Sequence, residues 1–179
     1  SGVMLTTLEG YKIVDGLNPA SIDDVIRKIR PALDMERFRP RITTNRLAKL
    51  YAAGIDSPED NVGSPKSACA ILADHRCPVY ELRPFGCRCL VSRHNCGDTG
   101  YAEIDDFVLS VNTVFLQTIE HVDAGGCSGN LIDILWTMAD GKNREDYRQL
   151  ALHCSANRLI PNQQLDVIMI PPEHREKME

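Results

Sequence analysis

Hydrophobic side chains recur at helical spacing over most of the chain, and turn residues separate the recurring stretches. An apolar pattern over residues 22–29, after the turn at 16–19, predicts a helix that ends near Pro31. A second pattern begins after the candidate N-caps at 43–45 and ends at Gly54. Both helices are expected to contribute to the core.

The second half of the chain continues the helical pattern. Its longest helix is predicted by one apolar stripe that consists of Ile104, Phe107, Val108, Val111, Phe115, Ile119 and Val122. Asn130 can cap a shorter helix, residues 143–157 predict another with Leu150 directed inward, and residues 165–170 suggest an extended segment. The expected fold is therefore mainly α: one small helical domain over residues 1–179, with an irregular cysteine-rich region at 66–98 between the helices.

Composition and charge narrow the possible classes of protein. The chain has 179 residues, 43% of them hydrophobic and 25% charged, which is typical of a soluble globular domain. Its net charge of -5 argues against a nucleic-acid partner, because phosphate binding needs a basic surface. No apolar run is long enough for a bilayer span, and residues 1–10 lack the pattern of a secretory signal, so we expect a cytoplasmic protein without a membrane partner.

Cysteine is the residue type that suggests a function. Five of the seven cysteines lie in one short region, at Cys69, Cys77, Cys87, Cys89 and Cys96. Without an export signal, all seven cysteines, an odd number, are better interpreted as reduced thiols available to a metal than as a disulfide framework, which remains the alternative. Thiolates favour zinc, cuprous copper or an iron-sulfur cluster. Four arginines against two acidic residues between Cys69 and Cys96 would stabilise an anionic thiolate cluster.

The spacing of these cysteines leaves several arrangements open. Prolines and glycines in the region predict loops that could bring distant thiols together. Cys87 and Cys89 would face the same side of an extended backbone but would diverge in a helix. The region contains no C-x-x-C pair, and the competing interpretation is that these thiols simply pack in the interior as small hydrophobic groups.

Part of this region resembles a known family. Cys77, Tyr80, Arg83, Pro84 and the pair Cys87–Arg88 match in order and spacing the phrase Cys-x-x-Tyr-x-x-Arg-Pro-x-x-Cys-Arg. This phrase is similar to the second half of the YkgJ-type cysteine-cluster family, whose members are described as chelating zinc or iron. The resemblance covers about twenty residues. The resemblance implies a small, largely helical protein that binds zinc or iron, either as a single ion or as an iron-sulfur centre. The related sequences include an enzyme that methylates flagellin lysines.

The chain departs from the family motif upstream, where the family has a denser C-x-x-C group and this chain has no cysteine before Cys69. We therefore predict replacement ligands: Cys69, Cys77, Cys87 and Cys96 as the first set, and Cys89 in reserve. Arg83, Arg88 and Tyr80 are predicted to support the site from outside.

Three functions remain open from the sequence. The first is a metal-binding protein with a structural, carrier or electron-transfer role, and the metal ion is then the only partner predicted. The second is a metal- or cluster-dependent group-transfer enzyme, which would need a pocket beside the cysteines. The third is a thiol protein that senses redox conditions.

Overall fold

A computed structural model describes residues 2–56, 68–89, 91–94, 98, 102–154 and 158–178. The α-helices are α1 (Thr7–Asp15), α2 (Pro19–Ile29), α3 (Thr44–Ala52), α4 (Phe85–Arg88), α5 (Asp106–Val122), α6 (Leu131–Ala139), α7 (Gly141–Arg148) and α8 (Arg175–Met178). Short 3-10 helices span Arg30–Leu33, Tyr80–Leu82 and Pro172–His174, and the strands are β1 (Met4–Thr6), β2 (Cys127–Asn130) and β3 (Leu159–Pro161). The predicted mainly helical class is confirmed.

The strands form a small antiparallel sheet that the sequence pattern did not predict. β2 lies in the middle, with Met4 of β1 opposite Asn130 and Leu159 of β3 opposite Gly129. All four residues of β2 are buried although their side chains are small or polar, so hydrophobic alternation gave no signal for a strand here. The sheet joins the beginning of the described chain to its C-terminal third.

The core forms where α1 and α6 pack against each other. Ile13 on α1 and Ile134, Leu135 and Met138 on α6 have almost no exposed surface. Gly10 permits this contact, because a Cβ atom at this position would collide with the side chain of Ile134. α2 covers the same core with its two buried side chains, and each of the three strands contributes one buried side chain to it.

Local signals predicted the start and end of α2 and α3. Asn18 caps α2 and accepts a hydrogen bond from the Ser21 backbone N–H, and Pro19 occupies the first helical turn. Thr43 caps α3, which ends before Gly54, a residue with a φ of 67°. A left-handed residue of this kind is a common helix terminator, so both predicted boundaries are confirmed within two or three residues.

The apolar stripe of α5 lies partly in solvent. The helix itself is confirmed, and Asp105 caps it. Along α5, however, the fully buried side chains are polar, namely Ser110, Gln117 and Glu120. The exposed ones include the apolar side chains Val108, Phe115 and Val122. An apolar stripe usually faces a core, but on α5 the buried face is polar. Polar contacts therefore determine which face of α5 packs against the protein.

Those polar contacts connect α5 to segments far away in sequence. The Glu120 carboxylate accepts hydrogen bonds from the backbone N–H groups of Asn45 and Gln163, at 2.8 and 2.9 Å. Gln117 donates to the Val167 carbonyl oxygen and accepts from the Met169 backbone N–H. α5 thus supplies hydrogen-bond partners for the irregular C-terminal segment, and these bonds account for its buried polar face.

The prediction of a helix over 143–157 is wrong beyond Arg148. α7 ends there, Leu150 adopts a φ of 56°, and its side chain is 79% exposed rather than inward. Residues 155–157 lie outside the described residues. Gly141 begins α7 instead of only ending α6, because Asp140 caps the new helix through the backbone N–H groups that follow it.

The preference for reduced thiols is also wrong at two positions. Cys127 of β2 and Cys154 form a disulfide with a Cα–Cα distance of 5.9 Å. Cys127 is fully buried, and the bridge connects the central strand to the segment that follows α7. The two cysteines lie 27 residues apart, and nothing in this spacing indicates that they pair. They meet only because the antiparallel sheet and helices α6 and α7 bring them together.

Candidate functional site

A tight turn brings the first two cysteines of the cluster toward each other. Ala73 and Arg76 exchange both backbone hydrogen bonds, at 2.9 and 2.8 Å, and the two residues between them have positive φ angles. This is the backbone of a two-residue hairpin with left-handed central positions. Cys77 directly follows the hairpin, so the chain returns toward Cys69 at this point.

Two apolar anchors fasten this hairpin to the rest of the domain. Ile71 and Val79, on either side of the turn, are each only 2% exposed and belong to the main hydrophobic core. Cys69 and Cys77 lie beside these anchors and are half-buried against the same core. Core packing therefore fixes the backbone that carries both thiols, and it also accounts for part of their burial.

The third thiol is positioned by a short helix that the sequence did not predict. Cys87 lies in α4, where the Phe85 backbone N–H donates to the Glu9 carboxylate at 2.7 Å. Glu9 also completes the capping box of α1 with Thr6. A Cβ atom at Gly86 would lie 3.1 Å from the Met4 carbonyl oxygen, so glycine lets α4 approach β1 closely. Sequence analysis missed Glu9 because it lies far from the cysteines along the chain.

The pKa of the Cys87 thiol is affected by the other cysteines of the cluster. Partial burial, followed by the charges of Cys69 and Cys77, raises the pKa of the Cys87 thiol to about 11, while the Arg83 guanidinium opposes this shift. Charges act on a pKa in this way only at short range through the protein. Cys69 and Cys77 therefore lie within electrostatic range of Cys87, and the role of these three cysteines as metal ligands stays a prediction.

These neighbours do not form a ready ligand set. Within the described ranges, no group of three or more His, Cys, Asp or Glu side chains is arranged to hold a metal ion. The fourth predicted ligand, Cys96, lies outside the described residues, as do residues 66, 67 and 90 of the predicted cysteine-rich segment. A metal would thus require the three thiols to move closer together.

The Cys89 thiol is hydrogen-bonded within its own turn. It is the C-cap of α4, not part of an extended strand, and its thiol donates to the Gly86 carbonyl oxygen at 3.6 Å. Its own carbonyl oxygen accepts a hydrogen bond from Asn112 of α5. Burial and the Glu9 carboxylate raise the pKa of Cys89. The helical alternative weighed for Cys87 and Cys89 is thus the one observed, and Cys89 fits poorly as a reserve ligand.

The three supporting residues hold the backbone around α4. Arg83 lies over the Tyr80 ring, with its guanidinium carbon 3.5 Å from the ring centroid, and donates to the Tyr80 carbonyl oxygen. Arg88 donates to the carbonyl oxygens of Arg83 and Glu81. Arg83 also acts on a thiol, because its positive charge lowers the pKa of Cys87. Arg88 and Tyr80 stabilise the loop.

A cavity of about 290 Å³ opens beside the Cys87 turn. Three parts of the chain line it: residues 8, 9 and 12 of α1, residues 82–85 together with Arg88, and Ile119 of α5. Its walls combine apolar side chains with Glu9, Lys12, Arg83 and Arg88. The cavity therefore combines charged side chains with an apolar surface, and it lies next to the turn that carries Cys87.

A second polar cluster surrounds the disulfide. The buried Asp123 carboxylate accepts hydrogen bonds from Thr7, Tyr147 and Asn162 side chains and from the Leu8 backbone N–H. Burial nevertheless raises the pKa of Asp123, and burial together with the Asp123 hydrogen bond raises that of Tyr147. Each oxygen of this carboxylate has a partner, so the cluster joins elements and offers no open position for a substrate.

Ser110 and His174 also form a buried pair, with 2.7 Å between the hydroxyl oxygen and Nδ1. The Ser110 hydroxyl oxygen also lies 3.1 Å from the Asp106 carbonyl oxygen of its own helix, and which partner donates in the bond with His174 depends on the imidazole tautomer. This geometry fastens the C-terminal segment to α5.

Comparison with known proteins found no match for this chain among family models, curated proteins or solved structures. The similarity of residues 69–88 to the cysteine-cluster family therefore stays a prediction from the motif. Among the described residues, no helix combines the length and apolar character that crossing a bilayer would require.

Proposed function

We propose that this protein binds a single zinc or iron centre through Cys69, Cys77, Cys87 and Cys96, in a structural, carrier or electron-transfer role. The observation that carries the proposal is the hairpin between Ala73 and Arg76, which returns the chain so that Cys69 and Cys77 pack against the same core; both also lie close enough to Cys87 for their charges to raise its pKa. Three thiols from separate turns share one neighbourhood, and this type of donor favours zinc or an iron-sulfur cluster over magnesium or calcium.

The loop around these thiols supports the same proposal. Ile71 and Val79 attach the hairpin to the core, while Glu9 fastens the turn that carries Cys87. A metal would therefore need to draw together three anchored segments over a short distance, with the Arg83 charge favouring the thiolate form of Cys87. Binding must displace the thiol protons, because the pKa of Cys87 lies well above neutral pH.

The test is metal stoichiometry after anaerobic purification, measured on wild type and on single Cys→Ser variants. Cys69→Ser, Cys77→Ser, Cys87→Ser and Cys96→Ser should each lose the metal. Cys89→Ser is the matched control and should keep it, because its thiol bonds within α4. Visible charge-transfer absorption would identify an iron-sulfur centre, and a colourless protein with one equivalent of zinc would identify a zinc site.

Two results would contradict this proposal. One is wild-type protein that takes up neither zinc nor iron after anaerobic reconstitution while it remains folded. The other is binding that survives substitution of Cys87. Chelation gives a separate readout, since removing a bound structural metal should lower the melting temperature of wild type but not that of Cys87→Ser.

A second candidate is a metal- or cluster-dependent group-transfer enzyme, and the cavity beside the Cys87 turn favours it. Glu9 and Arg83 line this cavity and also act on the Cys87 thiol. Redox sensing gains less support, because a raised pKa leaves little of the reactive thiolate at neutral pH.

A cytoplasmic location remains part of the proposal, and the Cys127–Cys154 disulfide bears directly on it. Reducing compartments keep most thiols reduced. Alkylation of thiols in freshly lysed cells, followed by mass spectrometry, would show whether this bridge is present where the protein resides. A fully oxidised bridge would argue for an oxidising compartment.

A further inference from the structure

The cavity beside the Cys87 turn is apolar on some of its walls and charged on the others. Leu8, Leu82, Phe85 and Ile119 supply apolar walls from three separate parts of the chain. Phe85 is itself held in place, because its ring packs against the Phe115 ring with 5.4 Å between centroids. An apolar body of small size could therefore enter without rearrangement of the backbone.

Positive charge collects on the remaining wall. Lys12, Arg83 and Arg88 line the cavity, and no acidic side chain in the described ranges forms an ion pair with any of them. Glu9 is the acidic residue of the lining, but its two oxygens already accept hydrogen bonds from Thr6 and from Phe85. Arg83 and Arg88 donate to backbone carbonyl oxygens through some of their N–H groups, but these neutral acceptors leave their charges in place. Three cations against one carboxylate therefore form a local positive site in a chain whose net charge is -5.

We propose that this cavity binds a small amphipathic anion, with its carboxylate or phosphate group at Lys12 and Arg83 and its apolar body against Leu82, Phe85 and Ile119. Charge and shape both support this ligand class. A cation would meet three like charges, and a fully polar anion would leave the apolar walls unused. The volume is near the lower end of the range for small-molecule pockets, about 300 Å³, so the ligand is short.

This inference names a ligand class for the cavity on which the second candidate function rests. Binding is measured on metal-free protein, so a failure of metal binding and a failure of anion binding are separate results. The Cys87 thiol takes no part in the recognition proposed here.

The experiment is isothermal titration of metal-free protein with octanoate, together with octyl phosphate, octanol and octylammonium as comparison ligands. Octanoate or octyl phosphate should bind at least about tenfold more tightly than octanol, and octylammonium should not bind, because ion-assisted hydrogen bonds contribute the difference. The preferred head group decides between a carboxylate and a phosphate ligand. Inorganic phosphate alone should bind much more weakly than octyl phosphate, because it lacks the apolar body.

The variant Lys12→Gln tests whether the anionic head group binds at Lys12. Lys12 is exposed on α1 and the substitution should leave the fold intact, yet octanoate binding should weaken about fivefold or more. Lys142→Gln, which makes the same charge change on exposed α7, should not alter binding. Equal binding of octanol and octanoate, absence of binding by folded wild type, or an equal effect of the two variants would each overturn the proposal.

Discussion

Reducing the Cys127–Cys154 disulfide should destabilise the protein by about 3.5 kcal/mol. The bridge joins residues 27 apart, and the loop-closure entropy lost by an unfolded chain with a loop of this length gives that value. For a domain of this size the change corresponds to a fall in melting temperature of about 7 to 14 °C. The assay is guanidinium unfolding of oxidised and reduced wild type, with metal removed by a chelator.

Two variants separate the bridge from the packing of its sulfur atoms. Cys154→Ala breaks the bridge but keeps the buried Cys127 thiol, whereas the double variant Cys127→Ala/Cys154→Ala also removes that buried sulfur. The unfolding midpoint of either variant should not respond to reductant. Thiol titration in denaturant should find two more thiols in reduced wild type than in oxidised wild type.

The reasoning would be refuted if oxidised and reduced wild type unfolded within about 0.5 kcal/mol of each other, a difference typical of neutral surface changes. That result would mean either that the bridge does not form or that the unfolded chain is already compact around it. The thiol titration distinguishes these two explanations, because it counts the bridge directly.

Three further predictions concern the core and the cysteine turn. Asp133→Ala should cost about 3 to 5 kcal/mol in urea unfolding, because it leaves the buried guanidinium of Arg37 without its carboxylate partner; a cost below about 1 kcal/mol would contradict this. Gly126→Ala should cost about 1 to 3 kcal/mol, since its Cβ would collide with buried Thr7 and Asp123, whereas Gly141→Ala, whose Cβ would meet only the Arg144 side chain at an ordinary contact distance of 3.8 Å, should be tolerated in the same assay. Glu9→Gln should lower the pKa of Cys87 below about 11, because the negative charge that opposes the thiolate is removed; the pH profile of iodoacetamide labelling in metal-free protein checks this, and an unchanged profile would contradict it.

The same raised pKa fixes the direction of a pH effect on stability. The Cys87 thiol has a pKa of about 11 in the folded protein, against an ordinary value of 9.0. The folded state therefore holds the proton more tightly, and the stability linked to Cys87 is complete below pH 9 and lost between pH 9 and 11.

Structural features that depend on residues within one turn of the chain were predicted well from the sequence. The start of α3 at Thr43 and its end before Gly54 depend on one hydrogen bond and one backbone angle, both determined by residues at those positions. The same holds for α6, where Asn130 caps the helix and the apolar pattern faces the core. In these cases, residues close together in the sequence are sufficient to explain where the helix begins or ends.

Features that depend on remote partners were missed. The buried face of α5 follows from Glu120 bonding to the backbone of Asn45 and Gln163, and no pattern within α5 reveals those partners. The Cys127–Cys154 pairing requires the unpredicted sheet. At the candidate site, the shared role of Cys69, Cys77 and Cys87 stays a prediction from their clustering, whereas the Glu9 contact and the cavity arise from packing of α1 against the cysteine turn.

The bridge between β2 and the segment after α7 has a practical consequence for limited digestion. A protease cut within the exposed, charged helix α7 falls inside the closed loop, so the two products would remain covalently attached. They would migrate as one species on a non-reducing gel and separate only after reduction. Digestion compared with and without reductant would therefore reveal cuts in this hairpin that a single gel would hide.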